Sequence, residues 1–313
     1  MKTTLPKKFI TNLNKIYASS TVEQILNGLA AKRPTTFRTN TLKISTADLT
    51  KKLIDAKIDY QQLTWNPDFF ILLSDKKQFI ASDIYSEGLV YTQSLSSLLP
   101  ALILAPQPNE IVLDLTAAPG SKTTQIAALM KNEGKILAND RHLIRLEKLK
   151  YNLKKQGVEN AQVTNLLGQE IGSKYPNFFD KTLLDAPCSL EGTFNTNNPK
   201  TYQNWNQALV DALSKRQQEL LYSAYLATKP GGTIVYSTCT LEVEENEMNI
   251  NWLIKKTGNK VLVEEINLPQ IPLTPGLLTG ANQTFHPDLN KTIRVLPSEL
   301  FEGFYLAKLK KIA

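Results

Sequence analysis

From about residue 86 onward, short apolar runs alternate with helical stripes, and this alternation constrains the fold more than any other feature. Ile111 to Leu115 reads as a buried strand, and Lys122 to Met130, with Ile126, Ala127 and Met130 on one side, reads as a helix. Lys135 to Ala138 is the next strand, followed by a stripe of Leu146, Leu149 and Leu153 at helical spacing. Further strands are expected at Gln162 to Leu166, Thr182 to Leu184 and Thr233 to Ser237. A helix over about Ser214 to Thr228 precedes the last of these and stops at Pro230-Gly231-Gly232. Val261 to Ile266, Thr292 to Leu296 and Gly303 to Leu309 complete the strands. Strands joined by helices predict an α/β fold with a doubly wound parallel sheet, whose ligands bind outside the carboxyl ends of the strands.

Residues 1–85 follow another pattern. Lys7 to Tyr17, Thr21 to Leu29 and Ala47 to Ala56 suit helices. Phe37 to Ile44 reads as a strand, and Trp65 to Leu73, turning at Asn66-Pro67-Asp68, as a strand pair. The expected organisation is a small N-terminal α+β module over 1–85 and a larger domain over 86–313.

The net charge of +7 suits a polyanionic partner, because Lys and Arg displace counterions from phosphates; general solubility is the plainer reading. Lys7, Lys8, Lys15, Lys32, Arg33 and Arg38 are the candidate contacts in the module. Two cysteines argue against a disulfide framework and, with only His142 and His286 beside them, against a metal site. No apolar run approaches the ~20 residues of a membrane span, and the basic start lacks the apolar stretch of a signal peptide. A cytoplasmic monomer is expected.

Two constellations lie at the strand ends. Thr116, Ala117, Ala118, Pro119, Gly120, Ser121 and Lys122 join the first strand of the larger domain to its helix. Small residues there let the backbone approach a ligand, the helix start offers N–H groups to an anion, and Lys122 suits a carboxylate. Asp140, 20 residues beyond Gly120 at the end of the next strand, suits ribose hydroxyls. Each has a plainer role: Gly120 in a turn, Asp140 as a helix cap. The pattern is not G-x-G-x-x-G, which disfavours a nicotinamide cofactor.

Asp185-Ala-Pro-Cys188 and Ser237-Thr-Cys239 end two later strands, so both thiols fall on the rim of that loop. A lone cysteine is ordinarily inert core. Two on one ligand-binding rim suit a covalent reaction: a thiolate adds to carbon 6 of a cytosine, which makes carbon 5 nucleophilic enough to accept a methyl group. A carboxyl near ring nitrogen 3 supplies the proton that stabilises the intermediate.

These stretches, with Phe37-Arg-Thr-Asn-Thr-Leu-Lys, Gln93 to Pro100, Glu244-Glu-Asn-Glu and Arg294-Val-Leu-Pro, resemble the RsmB/Sun-type family of RNA cytosine-5 methyltransferases, nearest its RsmF-like 16S rRNA branch. The resemblance implies a Rossmann-like class I methyltransferase sheet of about seven strands and an RNA-binding N-terminal module. It implies S-adenosylmethionine as cofactor, held by Thr116 to Lys122, Asp140 and Asp185. Cys239 is then the nucleophile, Cys188 assists release of the methylated base, and Asp185 contacts that base. Ribosomal RNA is the expected substrate, with transfer RNA as the alternative; the short end after the last strand implies that the extra C-terminal RNA-binding domains of some relatives are absent.

Departures from the pattern bear on the outcome. Leu167 stands where the family has an Asp for the adenine amine, with Gln169 or Asn165 as substitutes. Leu190 replaces a Gly, Ser94 an acid, and Asn195-Thr-Asn-Asn-Pro a basic stretch in which Lys200 is the remaining cation. The change at Leu167 supports a second reading, an RNA-binding or ribosome-assembly factor that has lost catalysis, against which Cys239, Cys188 and Asp185 weigh; a third reading is methylation of protein or a small molecule.

Overall fold

The computed structural model of the protein describes residues 5–268 and 270–312. Helices α1 (Lys7–Ile16) and α2 (Ser19–Ala30) come first. They are followed by β1 (Thr36–Thr39), α3 (Thr46–Asp55), β2 (Tyr60–Gln62), β3 (Phe69–Leu72), α4 (Lys76–Ala81), α5 (Asp83–Ser86) and β4 (Val90–Thr92). The four strands form an antiparallel sheet in the order β2-β3-β1-β4. Phe37 on β1 anchors its core, 5.1 Å from the Phe70 ring and 4.7 Å from Phe79. The expected strand pair within 65–73 is a single strand, β3; its partner is β2, and residues 63–68 make the connection between them, with Phe69 N donating to Asn66 O.

The larger unit continues with α6 (Leu95–Leu104), β5 (Ile111–Asp114), α7 (Ser121–Leu129), β6 (Lys135–Asn139), α8 (Leu143–Gln156) and β7 (Ala161–Thr164). Next come α9 (Gly168–Lys174), β8 (Phe179–Asp185), α10 (Gln207–Ala227), β9 (Thr228–Thr238) and α11 (Glu247–Lys256). The last strands are β10 (Val261–Glu264), β11 (Thr274–Pro275), β12 (Thr279–Gly280), β13 (Gln283–Thr284), β14 (Ile293–Val295) and β15 (Phe304–Lys311). The main sheet runs β11-β14-β15-β9-β8-β5-β6-β7, and β10 also pairs with β15.

Strands β7 to β9 with β5 and β6 are parallel, as the alternation predicts, but β15, β14, β11 and β10 are antiparallel. The sheet is therefore mixed. Residues 296–303 between β14 and β15 are too few for a crossover, which needs a dozen or more residues. Strand β10 pairs with residues 308–311 of β15 and β14 with 304–306, so the two share one lane. That leaves seven full lanes, with the two-residue β11 at the edge. Helix α10 starts at Gln207, earlier than the apolar pattern suggested, because Asn206 Oδ1 accepts from Leu209 N at 2.9 Å. It ends at Ala227, and Pro230-Gly231-Gly232 lies in the entry to β9.

Both faces of the sheet are covered. Leu98, Leu99, Ile126, Leu149 and Leu153 pack on one; Leu220, Leu221, Ala224, Ile250 and Leu253 pack on the other. Helices α1 and α2 join a separate apolar cluster: Phe9, Leu13, Ile25 and Leu29 meet Phe194, Trp205 and Leu241 of the larger unit. Asn12 Nδ2 also donates to Glu242 Oε1 at 2.7 Å. The asparagine-rich stretch after Cys188 takes part in this docking, with Thr196 N donating to Leu29 O and Asn197 Nδ2 to Ala30 O. Where the family carries a basic stretch, this chain builds a seat for α2.

Candidate active site

Strand β5 ends in the fully buried Asp114, whose Oδ2 accepts from Thr123 Oγ1 at 2.6 Å. Burial pushes its carboxyl up to about 7. The chain then turns through Thr116–Gly120 into α7. Gly120 has φ +107°, where an L side chain is strained, and a Cβ there would stand 2.8 Å from Leu149 Cδ1. Ala118–Pro119 is a cis peptide. No side chain caps α7 at Gly120, which leaves its first N–H groups for a ligand. Ala117, Ala118, Pro119, Ser121 and Lys122 line one cavity, while Gly120 shapes the turn behind them.

Asp140 follows β6 and is 3% exposed. Its Oδ1 does cap the following segment, accepting from His142 N at 2.9 Å. Its Oδ2 lies 3.4 Å from Arg145 Nη1 yet, buried as it is, accepts no hydrogen bond among the described residues. A buried acceptor facing a cavity with a lone pair to spare fits a ribose hydroxyl.

Strands β8 and β9 carry the thiols. Their parallel register sets Asp185 opposite Ser237, which brings the residues just beyond, Cys188 and Cys239, together. The sulfurs are 3.2 Å apart, and Cys239 N donates to Cys188 Sγ at 3.3 Å. The hydrogen bond to Cys239, then desolvation, raises the Cys188 thiol well above the usual range. That rise favours the protonated form of Cys188, and either sulfur can donate in the pair.

Asp185 is held from three sides. Lys122 Nζ lies 2.7 Å from Oδ2, Ser237 Oγ donates to Oδ1 at 2.8 Å, and Thr116 Oγ1 donates to the backbone carbonyl at 2.8 Å. Lys122, itself 7% exposed, also donates to Ser97 Oγ at 2.8 Å.

Two cavities meet at this point. One, of 380 Å³, runs past Asp140, Gln169, Arg216 and Leu190 to Cys188; the other, of 490 Å³, runs past Tyr91, Ser94, Lys122 and Phe304. Thr116, Asp185 and Cys239 line both. Cavities that join at one wall leave room for two reactants side by side, which suits group transfer between them.

The departures find places here. Leu167 is 49% exposed and does not line the cavity, whereas Gln169 does. Gln169 Nε2 donates to Glu219 Oε2 at 3.2 Å, and its Oε1 is buried without a hydrogen-bond partner among the described residues. Asn165 instead donates to Asp140 O at 2.8 Å. Leu190 sits at φ +65°, a left-handed conformation in which glycine is at ease and leucine is strained. Ser94 caps α6 and donates to Glu302 Oε2 at 2.7 Å, so an acid reaches that place from a distant residue.

Arg38 is buried and donates to Gln93 Oε1 at 3.0 Å and Thr124 Oγ1 at 2.8 Å, tying β1 to α7. Arg33 donates to Ser298 O and Phe301 O. Both are structural fasteners; Lys7, Lys8, Lys15 and Lys32 are exposed. Sequence reasoning missed Ser237, Arg145 and Arg216. Ser237 and Arg145 were signalled by adjacency to Cys239 and by lying one helical turn past Asp140; Arg216 carried no local signal.

Burial also pushes Glu242 and Glu245 up to about 7 and Glu191 well above the usual carboxylate range. With Asp114, these groups bind more protons folded than unfolded between their ordinary values and about 7. Stability is then greatest below the unfolded values and is lost as pH rises through the folded ones. The melting temperature is expected to fall by roughly 5 °C or more from about pH 5 to about pH 8. A flat or rising profile in a thermal melt would contradict it.

Among the described residues, no helix is long and apolar enough to cross a membrane, and no group of three or more His, Cys, Asp or Glu side chains could hold a metal ion. Residues 101–310 match the family described as 16S rRNA methyltransferase RsmB/F, and residues 5–95 match the N-terminal domain of 16S rRNA methyltransferase RsmF. A tRNA (cytosine(49)-C(5))-methyltransferase of Pyrococcus abyssi is 38% identical, covering 88% of this chain and 87% of that one. The ribosomal RNA small subunit methyltransferase F of Vibrio parahaemolyticus is 35% identical and covers 98% of this chain, which spans 63% of its length. A crystal structure of a methyltransferase homologue from Pyrococcus horikoshii is 30% identical with a TM-score of 0.80, covering 98% of this chain and 100% of that one. The paired thiols, the loop into α7 and the seven-lane sheet thus sit in a chain that belongs to the RsmB/F family of methyltransferases.

Proposed function

We propose that this chain transfers a methyl group from S-adenosylmethionine to carbon 5 of a cytosine in structured RNA, through a covalent bond between Cys239 Sγ and carbon 6. The observation that carries this reading is the pair of thiols 3.2 Å apart at the wall shared by two cavities. The residues fit the cofactor: Asp140 Oδ2 for the ribose, the turn at Gly120 for close backbone approach, and Lys122 with the start of α7 for the carboxylate. When bound, the cofactor supplies an electrophilic methyl group on a sulfonium.

Cys239 Sγ attacks carbon 6, and the electron pair moves to carbon 5 as ring nitrogen 3 takes a proton or a hydrogen bond. We assign the contact with that nitrogen to Asp185, at the wall the two cavities share. Its oxygens are engaged by Lys122 and Ser237; when the cofactor's own carboxylate takes over Lys122, Asp185 is left to carry a proton on Oδ2, and that proton goes to nitrogen 3 and returns when the product leaves. Once carbon 5 is methylated, its proton leaves to a base, the carbon–sulfur bond breaks and the electron pair returns to Cys239. Cys188, holding its proton against that sulfur, is positioned to assist the last step.

Gln169 takes the place of the missing acid at Leu167. Its buried, unpaired Oε1 suits the adenine amine. Gln169→Ala is expected to weaken cofactor binding about tenfold, the worth of one buried hydrogen bond, in a calorimetric titration. Unchanged affinity would place the adenine elsewhere.

The expected division at residues 85 and 86 falls inside the N-terminal sheet, because β4 pairs with β1; the working division is therefore an N-terminal RNA-binding module that includes β4, with α1 and α2 docked on the larger unit, and a catalytic domain from α6 onward. The chain acts as a cytoplasmic monomer. Ribosomal RNA is the substrate favoured by the match of residues 5–95 to an RsmF N-terminal domain. Transfer RNA is the second reading, favoured by the Pyrococcus abyssi relative, 87% of whose length is covered. Bisulfite sequencing of host RNA with and without the gene decides: loss of one methylated cytosine names the RNA, and no loss anywhere sinks the proposal.

A further inference from the structure

Acidic and amide side chains ordinarily face water, yet Glu245, Asn246 and Glu247 are all 0% exposed. Each is hydrogen-bonded in the interior, although Glu245 Oε1 has no hydrogen-bond partner among the described residues. Asn246 spans Cys239: its Oδ1 accepts from Thr238 Oγ1 at 2.5 Å, and its Nδ2 donates to Thr240 O at 3.1 Å. Glu245 spans Cys188: its Oε2 accepts from Ser189 N at 3.0 Å and from Gln217 Nε2 at 2.7 Å. That same Gln217 nitrogen donates to Pro187 O at 2.7 Å, so the residues on either side of Cys188 are tied to one carboxyl.

The frame is closed and anchored. Ser189 Oγ and Thr240 Oγ1 lie 2.7 Å apart, and Gly192 N donates to Cys239 O at 3.0 Å. Glu247 grips the buried Arg294 through both oxygens, accepting from Arg294 Nε at 2.6 Å. Arg294 Nη1 in turn donates to Leu241 O at 2.8 Å. This side chain–backbone lattice leaves the dipeptide little freedom to shift.

We propose that Glu245 and Asn246 are positioning residues for the thiol pair: each spans one cysteine loop, and their adjacency in the chain fixes one thiol relative to the other. Beyond the strand ends the two loops meet directly at Ser189 Oγ with Thr240 Oγ1, Gly192 N with Cys239 O and Cys239 N with Cys188 Sγ, and Glu245 and Asn246 add a hold on each loop from one shared segment. A single dipeptide that fastens both gives them a common reference, and misplacement by about 1 Å costs on the order of a hundredfold in rate. The geometric claim stands apart from the proposed function; its kinetic consequence rests on it.

The test uses full-length protein and phenylarsine oxide, whose arsenic binds two neighbouring thiols with loss of one water. Wild type is expected to be captured one to one. Asn246→Ala and Glu245→Ala are expected to lose capture by about tenfold or more, while Glu245→Gln, which keeps an oxygen for Ser189 and Gln217, restores it. Thr238→Val breaks the hold on Cys239 from the other side and supplies the same test if Asn246→Ala does not fold.

In methyl transfer, Asn246→Ala is expected to slow formation of the RNA adduct about a hundredfold through kcat with KM unchanged. Glu245→Ala is expected to form the adduct and release it slowly. Capture and turnover like wild type in folded variants would overturn the proposal, as would equal loss of both steps in parallel with melting temperature. Loss of capture by the variants of a protein that methylates no RNA would leave the positioning role intact and sink the function instead.

Discussion

Cys239→Ala is expected to abolish turnover, lowering kcat by on the order of 10⁴- to 10⁶-fold, the scale on which a covalent nucleophile contributes. The loss is chemical, since Cys239 lines both cavities and its replacement opens space without disturbing a charge. Cofactor affinity should therefore be retained. RNA carrying 5-fluorocytosine provides a second readout: with no removable proton at carbon 5, wild type is trapped as an adduct that survives denaturing electrophoresis. Cys239→Ala should form none. Full activity in that variant would show that carbon 6 is not attacked by this thiol.

Cys188→Ala is expected to fail at the opposite end of the cycle. Methyl transfer in a single turnover should persist, but the methylated RNA should stay attached through Cys239, so that steady-state turnover collapses while denaturation-resistant adduct accumulates. The reason lies in the 3.2 Å separation and the raised Cys188 thiol, which place a proton beside the leaving sulfur. A Cys188→Ala protein that turns over normally would leave the second thiol without a chemical role. Loss of methyl transfer without adduct would assign Cys188 to the first step.

Much of this was legible in the sequence because it is local. The apolar runs at Ile111 and Lys135 mark β5 and β6, since parallel strands buried on both faces leave little choice of residue, whereas the half-exposed edge strand β7 is marked by its place in the alternation. Site residues followed from strand ends, where Asp140, Asp185, Cys188 and Cys239 each lie within a few residues of a strand terminus. What stayed hidden depends on contacts between distant residues. The run Val261 to Ile266 gives no sign that β10 shares a lane with β14, because both pair with one long strand. Glu245 and Glu247 enter the sequence reading only as part of the Glu244-Glu-Asn-Glu stretch, and only the folded chain supplies Ser189, Gln217 and Arg294 as their partners. Gln169 gains its meaning from a cavity, not from its neighbours in sequence.

The seat that the segment 194–205 makes for α1 and α2 sets an order of events during synthesis. Asn12 leaves the ribosome 230 residues ahead of Glu242, its hydrogen-bond partner. At about 5–20 residues per second that interval is roughly 10–45 s. Until Phe194 and Trp205 are made, Phe9, Leu13 and Ile25 have only each other for cover, since the sheet of β1 to β4 closes around a different core. The first helices made are thus among the last to dock, and a nascent chain stalled before Trp205 would present them as a sticky, unburied pair.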